Sequence, residues 1–307
     1  MQFNKLVAID NTGLQPDAKE RLKKLAQEVV FYEDFPSDPL EIVNRINGKS
    51  SNNTPADAVL VSWNTQINRS IIEQCPSIRY IGMCCSLFDE KSANVDIQAA
   101  RENGIQVLGI YDYGDEGVVE FIISELIQLF HGFGKQMWQE EPVELTGHKL
   151  GLIGLGTTGK MLADMALAFG MQVFYYSRSR KPDYEKKGVE YLVLPELLST
   201  VDAVSTHLPK HTVVLGKDEF EKMGTGRVLI NTSLEPTFDI EPFINWIKAE
   251  NNYAIFDKVA MGSQFERLKD IDGVIYSNKV SGWTKQAKQR LSEKVIKNIE
   301  DFLSNLN

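Results

Sequence analysis

Cysteine is scarce in this chain of 307 residues, which holds only Cys75, Cys84 and Cys85. Three thiols, two of them adjacent, do not make a disulfide framework, so a reducing, cytoplasmic setting is expected. Cys84 and Cys85 have no histidine or basic residue beside them in sequence and read as a buried strand end. Histidine is equally sparse. His131, His148, His207 and His211 do not stand at metal-ligand spacings with cysteine or carboxylates, so no metal is expected. Long apolar runs are also missing: the most apolar stretch, Gly117 to Phe130, carries Glu120 and Glu125 and is too short to span a bilayer. Met1-Gln2-Phe3-Asn4-Lys5 leads straight into a strand-like run, so no export leader is expected. Positive charge is in deficit, 33 Lys and Arg against 42 Asp and Glu. The net charge of −9 argues against nucleic acid or an anionic membrane as the main partner.

What is present is the composition of a soluble globular protein, 43% apolar and 24% charged, in a chain long enough for two domains. In the first third, Leu6–Ile9, Val29–Tyr32, Ala58–Val61, Tyr80–Met83 and Gln106–Ile110 read as buried strands. Helix patterns at Pro16–Gln27, Pro39–Asn47, Arg69–Gln74 and Asn94–Asn103 alternate with them. Gly48 to Pro55 reads as a polar, mobile loop. Val118 to Phe130 is a helix apolar nearly all round, which demands burial on more than one side and suits a domain connection or a homodimer face. Strands at Gln172–Tyr176, Val189–Leu192, Ala203–Thr206, Val228–Asn231, Ala254–Lys258 and Val274–Tyr276 follow. Helices at Lys160–Phe169, Pro195–Ser199, Lys217–Lys222, Ile240–Glu250 and Lys285–Leu306 alternate with these. The expected fold is α/β, with two doubly wound parallel-sheet domains whose strand ends face a cleft.

The most informative segment is Leu150-Gly151-Leu152-Ile153-Gly154-Leu155-Gly156-Thr157-Thr158-Gly159. An apolar strand runs into Gly-x-Gly-x-x-Gly, a helix follows at once, and a second strand comes after it. Gly154 permits the tight turn, Gly156 lets the backbone approach a pyrophosphate, and Gly159 allows close helix–strand packing. The free N–H groups at the helix start, with Thr157 and Thr158, receive the phosphate charge. A glycine-rich turn without a ligand is the plain alternative, and the flanking strands weigh against it. Where the second strand stops, NAD sites place an Asp or Glu for the ribose 2′-hydroxyl. This chain reads Tyr175-Tyr176-Ser177-Arg178-Ser179-Arg180-Lys181. Ser177 repels no 2′-phosphate, and Arg178 and Arg180 offer it planar, charged donors. NADP(H) is therefore expected ahead of NAD(H), against the alternative of a solvated basic turn.

From about Asp57 to the last helix the sequence resembles the D-isomer-specific 2-hydroxyacid dehydrogenases. The resemblance rests on collinear segments: Val95 to Ile105, Gly117-Val118-Val119-Glu120, Leu145 to Gly151, the glycine turn, Ala168-Phe169-Gly170-Met171, Thr206-His207-Leu208-Pro209 and Ile230-Asn231-Thr232-Ser233. It implies a flavodoxin-like substrate domain over residues 1–115 and 286–307, with a Rossmann cofactor domain inserted at 116–285. It also implies that His207 and Pro209 line the adenine side, and that Thr232, Asp257 and Ser281 lie near the nicotinamide ribose and carboxamide. His207 reads equally well as a satisfied strand-end histidine.

The resemblance fails at the chemistry. The family's substrate-clamping Arg falls on Leu234, its Glu on Gly262 and its proton-transferring His on Lys279. No Arg lies near Leu234 and no His follows His211. Losing a charged hydrogen-bond partner costs a 2-ketoacid about 1.5–3 kcal/mol, and the relay that moves the hydroxyl proton is gone. Two readings stay open, beside a weaker third in which residual 2-ketoacid reduction takes its proton from water. In one, the chain is an NADP(H)-dependent oxidoreductase acting on a small carbonyl compound other than a typical 2-ketoacid. A desolvated Lys279 would then supply the proton, with Asn64, Asn278 and the backbone near Ser86-Leu87 fixing the substrate. In the other, it is a catalytically silent NADP(H)-binding sensor. The plain alternative for Lys279 is a solvated amine or an ion pair with Glu235.

Overall fold

The computed structural model describes residues 1–49, 53–87 and 89–305. Residues 50–52 of the expected polar loop, and Leu306 at the expected end of the last helix, lie outside them. The chain divides into two compact units, one made of Met1–Tyr113 with the segment from Thr284 onward, the other of Gly114–Trp283.

The first unit alternates β1 (Phe3–Ala8), α1 (Pro16–Leu22), β2 (Ala26–Phe31), α2 (Pro39–Ile46), β3 (Ala58–Val61), α3 (Arg69–Glu73), β4 (Tyr80–Ser86), α4 (Ile97–Glu102) and β5 (Gln106–Ile110). Its parallel sheet has the order β2-β1-β3-β4-β5, the flavodoxin-like arrangement. Three helices open on side-chain caps: Asp38, Asn68 and Asp96 each accept an N–H of the first turn. The expected helix over Pro16–Gln27 is too long and the strand after it starts too late. β2 is an edge strand, and its polar Gln27 and Glu28 imitate a helix surface. Glu28 instead pairs across the sheet with the fully buried Lys5 at 2.9 Å.

The second unit runs α5 (Asp115–His131), β6 (Lys149–Ile153), α6 (Thr157–Ala168), β7 (Gln172–Tyr176), α7 (Pro182–Glu185), β8 (Glu190–Tyr191), α8 (Leu194–Thr200), β9 (Ala203–Thr206), α9 (Lys217–Met223), β10 (Val228–Asn231), α10 (Ile240–Ile247), β11 (Tyr253–Phe256), α11 (Phe265–Leu268) and β12 (Val274–Tyr276). The seven parallel strands have the order β12-β11-β10-β9-β6-β7-β8, so the winding reverses between β6 and β9. In an open α/β sheet that switch point, at the carboxyl ends of the strands, is where ligands bind. Val119, Ile122, Ile123, Leu126, Leu129 and Phe130 of α5 join the unit's core beside β6 and α6. Val118, Phe121 and Ile127 of the same helix are only partly buried. No helix among the described residues is long and apolar enough to cross a membrane.

α12 (Lys285–Ser304) returns to the first unit. Its Phe302 stands 4.8 Å from Tyr80 and 5.6 Å from Phe3, ring centre to ring centre. Among the described residues the buried Tyr80 hydroxyl has no hydrogen-bond partner. Since a buried donor without a partner costs about 1–3 kcal/mol, Tyr80→Phe should stabilise the protein by roughly 1 kcal/mol. A lower urea midpoint for the variant would show that the hydroxyl is satisfied. The three cysteines are free and buried, and burial raises every one of their thiols, Cys75 to about 11 and Cys85 to about 12, which keeps them unreactive.

Candidate functional site: the carboxyl edge of the second sheet

Strand register assembles the site. Ile153 pairs with Tyr176 on one side and Thr206 on the other, Thr206 with Asn231, and Asn231 with Phe256. One residue further along each strand come Ser177, Gly154, His207, Thr232 and Asp257. Five residues expected to hold cofactor therefore stand in one row along the sheet edge. The row crosses four strand spacings, about 19 Å, which suits a dinucleotide laid across the switch point.

The three glycines of the turn have different reasons to be glycine. Gly154 has φ +99°, and a β-carbon there would lie 2.3 Å from the His207 carbonyl oxygen. A β-carbon on Gly159 would lie 2.3 Å from the Gly154 carbonyl oxygen, so α6 sits directly on the turn. Gly156 is unlike both. Its φ of −84° suits any residue, it is exposed, and among the described residues beyond its own chain neighbours no atom lies within 4 Å of where its β-carbon would be. That empty cradle adjoins the start of α6, where the first ladder bond is Lys160 N to Gly156 O at 2.9 Å. The N–H groups of Thr157, Thr158 and Gly159 precede the ladder and remain for an anion. The residues present therefore fit a dinucleotide pyrophosphate. The Thr158 hydroxyl is differently engaged: it donates to Asp115 of α5, so only the Thr158 backbone is left for phosphate.

At the end of β7 the two arginines part. Arg180 is held by Glu185 through a two-pronged pair, Nε to Oε1 at 2.8 Å and Nη2 to Oε2 at 2.6 Å, and lies over the Tyr191 ring. Arg180, followed by the Tyr175 hydroxyl, pulls the Glu185 carboxyl down to about 2, so the pair stays charged. In this arrangement Arg180 braces the β7–α7 turn. Arg178 is exposed on the same turn. Ser177 folds its hydroxyl back onto the Ser179 carbonyl at 2.5 Å.

On the other side of the switch point, His207 continues the ladder from β9, its N–H donating to Ile153 O at 2.8 Å. Its Nε2 lies 3.0 Å from the Ser205 hydroxyl, and burial lowers the imidazole to about 4. A ring that is neutral at physiological pH serves as a wall, not as a proton donor. Asp257 is 1% exposed and its carboxylate is fully used. One oxygen accepts Val259 N and Ala260 N at 3.2 Å each, the other Ser281 N at 2.9 Å and Ser281 Oγ at 2.8 Å. Burial raises its pKa despite these donors. Asp257 and Ser281 thus tie the loops after β11 and β12 together, and their side chains meet each other rather than open space. Thr232 and Pro209 are half-buried on neighbouring loops.

Leu234 is 43% exposed. Gly262 has φ +52°, and its β-carbon position faces Pro236 Cδ at 3.4 Å and Glu235 Cγ at 3.5 Å. Lys279 is exposed on the turn after β12, its N–H bonded to Ser277 Oγ at 3.1 Å. The low-dielectric surroundings expected for a proton-donating lysine are not built there, and Glu235 takes other partners: His211 Nδ1 at 2.8 Å and Lys210 Nζ at 3.6 Å. Sequence reading passed over this pair, and also over Asn231. That fully buried amide donates to Glu235 O and Ala260 O at 3.0 and 3.1 Å and accepts Thr206 Oγ1 and Ser233 N, both at 3.0 Å.

Residues 126–261 match the family described as D-isomer specific 2-hydroxyacid dehydrogenase, NAD binding domain. The chain is 26% identical to the hydroxypyruvate reductase of Blautia hydrogenotrophica over 97% of each protein. Among solved structures it resembles the acyclic imino acid reductase Bsp5 in complex with NADPH and D-Arg, with TM-score 0.81, 21% identity, and coverage of 98% of this chain and 97% of that one. It also resembles the NAD+-bound 3-phosphoglycerate dehydrogenase of Entamoeba histolytica, with TM-score 0.79, 23% identity, and coverage of 100% and 97%.

Proposed function

We propose that this chain, which belongs to the D-isomer-specific 2-hydroxyacid dehydrogenase family, is an oxidoreductase that prefers NADP(H) to NAD(H) and reduces a small carbonyl compound other than a typical 2-ketoacid. The family supplies the reaction class: its curated members are named reductases and dehydrogenases. One structural neighbour holds NADPH and another NAD+, so the cofactor preference rests on this chain's own residues. When bound, the nicotinamide supplies the hydride. Gly154, Gly156, Thr157, Gly159 and the backbone of Thr158 would hold the pyrophosphate, and His207, Pro209 and Thr232 would wall the cofactor's two halves.

The observation that carries the reading is the sheet edge itself: an open cradle at Gly156, Ser177 in the place of an acid, and an exposed arginine, Arg178, as the next residue. Arg178 can give a 2′-phosphate charge-assisted, planar hydrogen bonds, while Arg180 stays with Glu185. The substrate preference follows from Leu234, which brings an apolar surface where a 2-ketoacid needs a cation.

The test is binding of NADPH and NADH to the purified protein, followed by NADPH oxidation with glyoxylate, pyruvate and neutral aldehydes. NADPH should bind more tightly. Arg178→Ala should weaken NADPH about 10–100-fold while leaving NADH within about threefold. Equal affinities in the wild type would remove the NADP(H) preference. Turnover confined to 2-ketoacids would overturn the substrate reading, and tight binding without turnover of any carbonyl would favour a silent sensor.

A further inference from the structure

The proposed reduction needs a proton for the developing alkoxide. His207 is neutral and walled in, and Lys279 is solvated. The carboxyl edge of the same sheet holds another group suited to the task. His211, in the loop after β9, and Glu235, in the loop after β10, meet at 2.8 Å through Nδ1 and Oε2. Three features show that this contact is built into the edge. The His211 backbone sits at φ +62°, a left-handed conformation that a β-carbon disfavours and that the loop nevertheless maintains. Lys210 reaches the other carboxylate oxygen at 3.6 Å, so one loop grips Glu235 from two sides. The Glu235 carbonyl accepts the buried Asn231 amide at 3.0 Å, and its side-chain stem packs against the Gly262 turn.

We propose that His211 is the proton donor of this enzyme and that Glu235 is its positioning residue. The inference rests on the oxidoreductase reading above. Nδ1 stands 2.8 Å from the carboxylate as an ion pair, which leaves Nε2 as the nitrogen to meet a substrate on a side chain 60% exposed. As the carbonyl carbon accepts the hydride, its π electron pair moves to oxygen, and that oxygen takes the proton from Nε2 of the imidazolium. The ring is left neutral against Glu235 and regains a proton from solvent. Overall, carbonyl, NADPH and one proton become alcohol and NADP+.

His211→Gly is the informative variant, because glycine adopts the left-handed backbone without strain. Turnover of the best aldehyde from the carbonyl panel should fall by about 100-fold or more, with NADPH affinity by fluorescence titration and melting temperature unchanged. Added imidazole should restore part of the lost rate. Glu235→Gln should lower turnover about tenfold at constant KM and alter the tautomer balance of the His211 ring seen by nitrogen NMR. Undiminished turnover in His211→Gly, or a loss that imidazole does not rescue, overturns the proton-donor role while the reductase reading stands. A wild-type protein that binds NADPH yet reduces no carbonyl overturns both.

Discussion

Gly156→Val should fold like the wild type and fail to bind cofactor, whereas Gly154→Val should fail to fold normally. The contrast separates a glycine required by the ligand from one required by the chain. At position 154 a side chain meets the His207 carbonyl at 2.3 Å while the backbone stands at φ +99°. Both conflicts are with backbone and cannot be relieved by a rotamer change, so a loss of about 3 kcal/mol or more is expected. At position 156 the backbone is ordinary and the neighbouring space is empty. The remaining cost is that of a poorer helix cap, within about 1 kcal/mol. The valine methyls would occupy the cradle where a pyrophosphate must approach the N–H groups of α6. NADPH affinity should therefore drop on the order of 100-fold or more, equivalent to about 2.7 kcal/mol. Thermal melts and fluorescence titrations of the two variants test this together. Normal NADPH binding by Gly156→Val would mean that the cradle is not the phosphate site.

The glycine turn and the row along the sheet edge were legible in the sequence because each depends on local chemistry. A turn at positive φ needs glycine, a buried parallel strand needs a continuous apolar run, and the residue after each strand falls on the binding edge. The different fates of Arg178 and Arg180 were not legible, because two arginines in one basic run look alike. What separates them is Glu185, which the four-residue α7 brings back beneath the run. The His211–Glu235 pair was hidden for a related reason: its members lie 24 positions apart on loops after adjacent strands, and only strand pairing makes them neighbours. Lys279 was legible only as a position in the family pattern; the exposure of its side chain depends on the turn after β12. The early start of β2 escaped notice because an edge strand tolerates polar residues that a central strand excludes.

The second large effect is expected at Asn231, which the sequence offered only as a landmark. Its amide binds all three neighbours that shape the edge: Thr206 of β9, the Ser233–Glu235 loop, and Ala260 after β11. In Asn231→Ala, the Thr206 hydroxyl keeps the Ile230 carbonyl at 3.4 Å as an alternative acceptor. Ser233 N, Glu235 O and Ala260 O lose the amide as partner. At about 1 kcal/mol or more for each group left without a partner in a buried site, the variant should lose roughly 3 kcal/mol. Asn231→Asp should cost at least as much despite its matching shape, because two carbonyl oxygens would then face a carboxylate instead of an amide N–H. Urea unfolding of the two variants measures both losses. A change under about 1 kcal/mol in either would show that water satisfies these groups, and the loop carrying Glu235 would then owe its position to the His211 and Lys210 contacts alone.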